Sequence, residues 1–170
     1  MKRLLLPLLL LAACQQQPAE QAADGKDAAA KQASEQPGRP PRLGTLIGLY
    51  EGDGTRRNQM CVVEGKGGEA RFGLVVWGGN MHSCSGAGTL DKRGDKLRLA
   101  MAGDSACTIE ATISGKTLRL PDKTPEGCAY YCGARASLGG AELTQTGTTE
   151  ADAMKAKDLV GDPLCATESR

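Results

Sequence analysis

The stretches DKLRLAMA (residues 95–102) and ACTIEATIS (residues 106–114) decide the fold. In the first, Leu97, Leu99 and Met101 alternate with Lys96, Arg98 and Ala100. In the second, Cys107, Ile109, Ala111 and Ile113 hold every other place. A period of two belongs to a strand with one face in the core. A short connection between two such strands makes them antiparallel neighbours.

Working outward in both directions, short apolar runs separated by turn residues predict strands at 43–51, 59–64, 69–77, 83–91 and 116–121, with a last one near 141–146. Glycine accounts for 23 of 170 residues, nearly double the usual ~7%. All but Gly25 and Gly38 lie at or after Gly44, which reads as many tight turns. The expected fold is mainly β: a small antiparallel meander of about seven or eight strands, as a barrel or a two-sheet sandwich. After Pro121 the period changes. Thr124-Pro125-Glu126 reads as a helix start, carrying Cys128, Tyr131, Cys132 and Arg135 on one face up to Gly139-Gly140. A second short helix is expected over 150–160, capped by Thr149 and ended by Gly161.

The chain begins with Met1-Lys2-Arg3 and the apolar run Leu4 to Leu11. That run is about half the ~20 residues that span a bilayer, so it reads as a signal h-region. Leu11-Ala12-Ala13-Cys14 resembles the lipobox of bacterial lipoproteins. The resemblance implies cleavage after Ala13 and an acylated Cys14. Gln15, where inner-membrane lipoproteins usually carry Asp, resembles those sorted to the outer membrane. The implied layout is a signal peptide over 1–13, a lipidated Cys14 and linker over 14–43, and a β domain over 44–170 in the periplasm. The linker, rich in Gln, Ala, Pro and charge, has little to bury. Its composition predicts a coil of roughly 30 Å end to end.

Assigning Cys14 to lipid leaves Cys61, Cys84, Cys107, Cys128, Cys132 and Cys165 of the seven cysteines. An even number in a small exported domain reads as a disulfide framework. Zinc would want closer Cys pairs with His support, and the chain has one His, His82. A redox pair would want Cys-x-x-Cys, and Cys128 and Cys132 have three residues between them. Cys61, Cys84 and Cys107 recur every 23 residues, one hairpin period. Each therefore starts an even-numbered strand at one end of the meander. Alternate strands lie ~9.6 Å apart, whereas bridged Cα atoms lie within about 7 Å. The three should thus bond the three later cysteines, which leaves six pairings. One of the six, 107–128 with 84–132 and 61–165, is carried forward, with the C-terminal segment stapled across that end.

The same end carries the longer connections, 52–58 and 78–82, and loops on a rigid frame are where recognition usually sits. Tyr50, Arg56, Arg57, Trp77, Asn80, His82, Tyr130 and Tyr131 would gather there as a binding rim. The alternative is that Trp77 and the tyrosines pack the staple onto the sheet.

No catalytic constellation accompanies this rim. His82 beside Ser83 lacks the motif of an activated nucleophile, and Asp53, Asp91, Asp95 and Asp104 sit in turn contexts that favour Asp. Gly65-Lys66-Gly67-Gly68 lacks the spacing of a phosphate loop. Neither an enzyme nor a cofactor nor a metal is expected. With the signal removed, 19 of the 21 basic residues face 20 acidic ones, a balance that argues against nucleic acid. The expected role is a non-catalytic binding or inhibitor module, with the membrane and an envelope protein or hydrolase as partners. In size, lipid anchor and stapled small barrel the chain resembles the membrane-bound lysozyme inhibitors. It departs from their Ser-Gly-x-x-Tyr segment, because Ser85-Gly86 is followed by Ala87-Gly88 without a Tyr. The alternatives are an assembly lipoprotein of the outer membrane and, more remotely, a redox or metal protein.

Overall fold

A computed structural model describes residues 43–53, 57–103 and 105–165; Cys14, Arg56 and Asp104 lie outside them. Eight strands follow one another: β1 Gly48–Glu51, β2 Gln59–Glu64, β3 Ala70–Trp77, β4 Ser83–Arg93, β5 Lys96–Met101, β6 Thr108–Ser114, β7 Thr117–Arg119 and β8 Glu142–Gly147. Each pairs antiparallel with the next, and β8 returns to pair with β1, so the sheet is a closed barrel. Closure removes every free strand edge.

Alternation explains which side chains fill the interior. Phe72, Leu74 and Val76 of β3, Leu97, Leu99 and Met101 of β5, Ile109 and Ala111 of β6, and Leu118 and Leu143 join one buried cluster. Eight strands enclose a space that side chains can fill. Cys84 and Cys107 belong to this cluster and face inward. Cys61 does not, because its neighbours Met60 and Val62 hold the inward places. Its sulfur points out.

The three disulfides are Cys61–Cys165, Cys84–Cys132 and Cys107–Cys128, with Cα atoms 6.0, 3.9 and 4.7 Å apart. This is the pairing carried forward from the sequence. The placement of the C-terminal segment is a correction. Only the region around Cys128 and Cys132 lies across the barrel end. The segment ending in Cys165 runs along the outer wall, where Leu49, Cys61, Ala153, Ala156 and Cys165 form a separate small cluster. An outward cysteine can be reached only from outside.

Both predicted helices are shorter than expected. The first is a 3-10 turn, Glu126–Tyr131, with Pro125 at its N-cap. Cys132 is already extended and pairs with Cys84 as an isolated bridge. Cys128 and Cys132 bond strands two apart, a separation of ~9.6 Å, while four residues of α-helix rise only about 6 Å. The helix gives way so that both bonds form. The second helix, α1, is confined to Glu150–Ala153. Thr149 caps it as expected, within a capping box completed by Asp152. The chain then turns to lay Ala156 against the wall.

Candidate functional site

The stapled end of the barrel is built from four connections: the β1–β2 loop, the β5–β6 turn at 102–107, the β3–β4 loop and the long connection from β7 to β8. Backbone hydrogen bonds tie the last two together. Gly79 N–H donates to the Arg135 carbonyl at 3.2 Å, and Gly133 N–H donates to the Ser83 carbonyl at 2.9 Å. With the Cys84–Cys132 and Cys107–Cys128 bonds, this side of the rim is held covalently to β4 and to the start of β6.

Tyr131 closes the barrel mouth. Its hydroxyl donates to the Ala102 carbonyl at 2.8 Å, and the ring packs against the interior cluster. The inward position beneath it is Gly86, where a Cβ would run into Met101 and lie 3.0 Å from the Tyr131 ring. Glycine at 86 is the local condition for the plug. Tyr130 meets Tyr131 edge-on, ring centroids 5.4 Å apart, yet is itself 84% exposed. Neighbouring tyrosines thus take opposite parts, one packed and one presented.

In the β3–β4 loop, Gly79–Met81 makes one tight left-handed turn in which Asn80 and Met81 both have positive φ, 54° and 66°. Asn tolerates that region, but Met does so at a cost of ~1–2 kcal/mol. The crossed bonds Gly78 N–H to His82 carbonyl at 2.8 Å and His82 N–H to Gly79 carbonyl at 3.2 Å hold it. The consequence is a Met81 side chain that is 68% exposed. Sequence reasoning passed over Met81; the available signal was an apolar residue directly after the turn-forming run Gly78-Gly79-Asn80. His82 is half-buried against Gly133, where any Cβ would lie 3.0 Å from its Nδ1.

The other expected rim residues separate. Tyr50 is corrected: it is buried in the interior, and its hydroxyl donates to the Leu46 carbonyl at 2.8 Å. Its place on β1 puts it on the inward face, and burial pushes its phenol up to about 12. Trp77, half-buried at the end of β3, donates its backbone N–H to the Asn58 Oδ1 at 2.8 Å. It lies on the outer face, alternating with Val76. Arg57 pairs with Glu51 at 3.5 Å, beside a groove of about 320 Å³ lined by Glu51, Asp53, Thr144 and Thr146. A second cleft, about 310 Å³, lies within the β7–β8 connection against Thr124, Glu126, Cys132 and Ser137.

Among the described residues, no group of three or more His, Cys, Asp or Glu side chains could hold a metal ion. All six domain cysteines are bonded, so none remains as a thiolate ligand or nucleophile. What this end offers is an apolar pair, Met81 and Tyr130, on a frame that cannot easily rearrange. Met and Tyr are enriched where proteins touch one another. The fold and this end define a class: a closed eight-stranded meander barrel with one covalently braced rim. No known protein family, curated protein or solved structure matches the chain.

Proposed function

We propose that this chain is an envelope lipoprotein, anchored through Cys14, whose barrel is a non-catalytic binding or inhibitor module facing the periplasm. Three disulfides fit an oxidising compartment, and the lipobox-like Leu11-Ala12-Ala13-Cys14 supplies the anchor. The observation that carries the binding role is the pair Met81 and Tyr130. Each is a large apolar side chain left in solvent while the backbone beneath it is fastened by hydrogen bonds and disulfides. A closed barrel has no strand edge to lend, so recognition falls to side chains on the loops. Anchors of this type, rigid before binding, lose little entropy on association.

The test is direct binding of the purified protein to lysozymes and other wall hydrolases by calorimetry, with hydrolase activity read in parallel. Met81→Asp and Tyr130→Asp are each expected to weaken binding at least about tenfold, as truncation of interface anchors does. Binding with loss of activity means an inhibitor; binding with activity retained points to the assembly role. Binding unchanged in both variants would remove the rim from the account.

A further inference from the structure

The opposite end of the barrel carries three tight turns, at 65–69, 94–95 and 115–116, beside the entry to β1 and the exit from β8 into α1. Two of them are neighbours, because β5 pairs with β6, and the Ile113 N–H donates to the Asp95 carbonyl at 2.8 Å. Around these two turns stand Lys92, Arg93, Lys96 and Lys116, with Arg93, Lys96 and Lys116 exposed. Arg93 lies directly opposite Lys96 across the hairpin. Like charges in that register repel. Asp95 is the carboxylate of the turn itself, yet neither it nor any other described carboxylate forms an ion pair with these four cations. By contrast, Arg57, Arg119 and Lys155 all have carboxylate partners. One row further along, Arg98 stands between Asp91 and Glu110 on its two neighbouring strands. The excess of positive charge at this end belongs to these two turns, since Lys66 in the third turn is flanked by Glu64 and Glu69.

This end is also where the chain enters the barrel. β1 starts there at Gly48, preceded by the stretch 15–42 and then Cys14. Only residues 15–42 separate Cys14 from the described chain, so an acylated Cys14 would tether these turns to a bilayer at high effective concentration. A cationic surface that close is drawn to anionic headgroups, over a range of about 8 Å at physiological salt.

We propose that the barrel end bearing the β4–β5 and β6–β7 turns rests on anionic phospholipid headgroups of the membrane that holds Cys14. This rests on the anchored-lipoprotein reading above and adds an orientation to it: the stapled rim, at the far end, is turned away from the lipid.

The native protein, reconstituted into phosphatidylcholine vesicles with or without phosphatidylglycerol, is labelled with an amine-reactive probe and each lysine is followed by mass spectrometry. Lys96 and Lys116 are expected to label at least about threefold more slowly on the anionic vesicles, with the difference lost at high salt. Lys123, at the rim end, should label equally on both. Equal labelling of Lys96 and Lys116 on both vesicles overturns the proposal. So does protection in native envelopes alone, which assigns the surface to an acidic protein. The mass of the N-terminal peptide separates the two readings. An unacylated Cys14 removes anchor and docking together, whereas an acylated Cys14 with equal labelling removes the docking alone.

Discussion

At the mouth of the barrel, Cys84, Cys107 and Cys128 are members of the main core, packed among Met101, Leu138 and the interior strands. On the outer wall, Cys61 and Cys165 sit in a cluster of five buried residues that the barrel does not need in order to close. The same bond therefore does two different things. At the mouth it joins side chains that would pack together anyway and gives the rim its rigidity. On the wall it fastens a strap whose own apolar contribution is small.

Removing the bonds is the strongest way to break that comparison. Loop closure alone ranks Cys61–Cys165 first, since its partners are 104 residues apart against 48 and 21, worth about 4.7, 4.1 and 3.3 kcal/mol. Replacing Cys61 and Cys165 together by alanine is expected to cost the most in urea denaturation, about 4–5 kcal/mol. Amide exchange within 149–164 should quicken far more than in β5 or β6, because the strap opens locally. A mouth pair that costs more than the strap pair would mean that packing outranks loop closure.

Tyr50 sharpens the interior side. Its phenol, pushed up to about 12 by burial, ordinarily ionises near ~10. As pH rises the unfolded chain loses its proton first, so stability holds below about pH 10 and falls between about 10 and 12. The loss should be on the order of 2 kcal/mol. Phenolate absorbance followed alongside denaturation checks this, and Tyr50→Phe should remove the step.

The two tyrosines of the plug divide rim from core at single-residue resolution. Tyr131→Phe forfeits the bond to Ala102 and is expected to cost about 1 kcal/mol in thermal or urea unfolding. Tyr130→Ala should change stability by less than about 0.5 kcal/mol, because the side chain is almost wholly in solvent. A large loss from Tyr130→Ala would return it to the packing role.

The smallest effect belongs to the strap. Hydrogen bonds from Lys155 and then Thr149 lower the Asp152 carboxyl from 3.8 to about 2. Its contribution is present above about pH 4 and fades as pH falls toward about 2. Exchange in α1 should quicken over that window while β5 and β6 stay protected, and Asp152→Asn should flatten the dependence. An acid response that spreads into the barrel strands would show strap and wall to be one unit.

Much of the barrel was legible because period-two alternation and turn residues are local. The repeat of Cys61, Cys84 and Cys107 made even the disulfide partners a short set, since strand spacing is a fixed length. The orientation of Cys61 was harder to read, because Gln59-Met60-Cys61-Val62-Val63 is apolar on both faces and hides its parity. The first helix was misjudged for a related reason: Thr-Pro-Glu is a sound local start, but two disulfides to alternate strands overrule it. Tyr130 and His82 lie at the end of the barrel where the strand order had placed them. Met81 was missed because its exposure depends on a left-handed backbone that no propensity signals, and Tyr50 was misplaced because the strand's facing was left unread.

The bridges also enclose one another like brackets: 107–128 inside 84–132, and both inside 61–165. On the export route proposed above, Cys61 would reach the oxidising side before the other five domain cysteines, and Cys165 last. Joining cysteines in order of arrival would yield 61–84, a bond that the finished barrel forbids. On that route, Cys61 has to stay open, or be released from a wrong partner, until Cys165 has crossed.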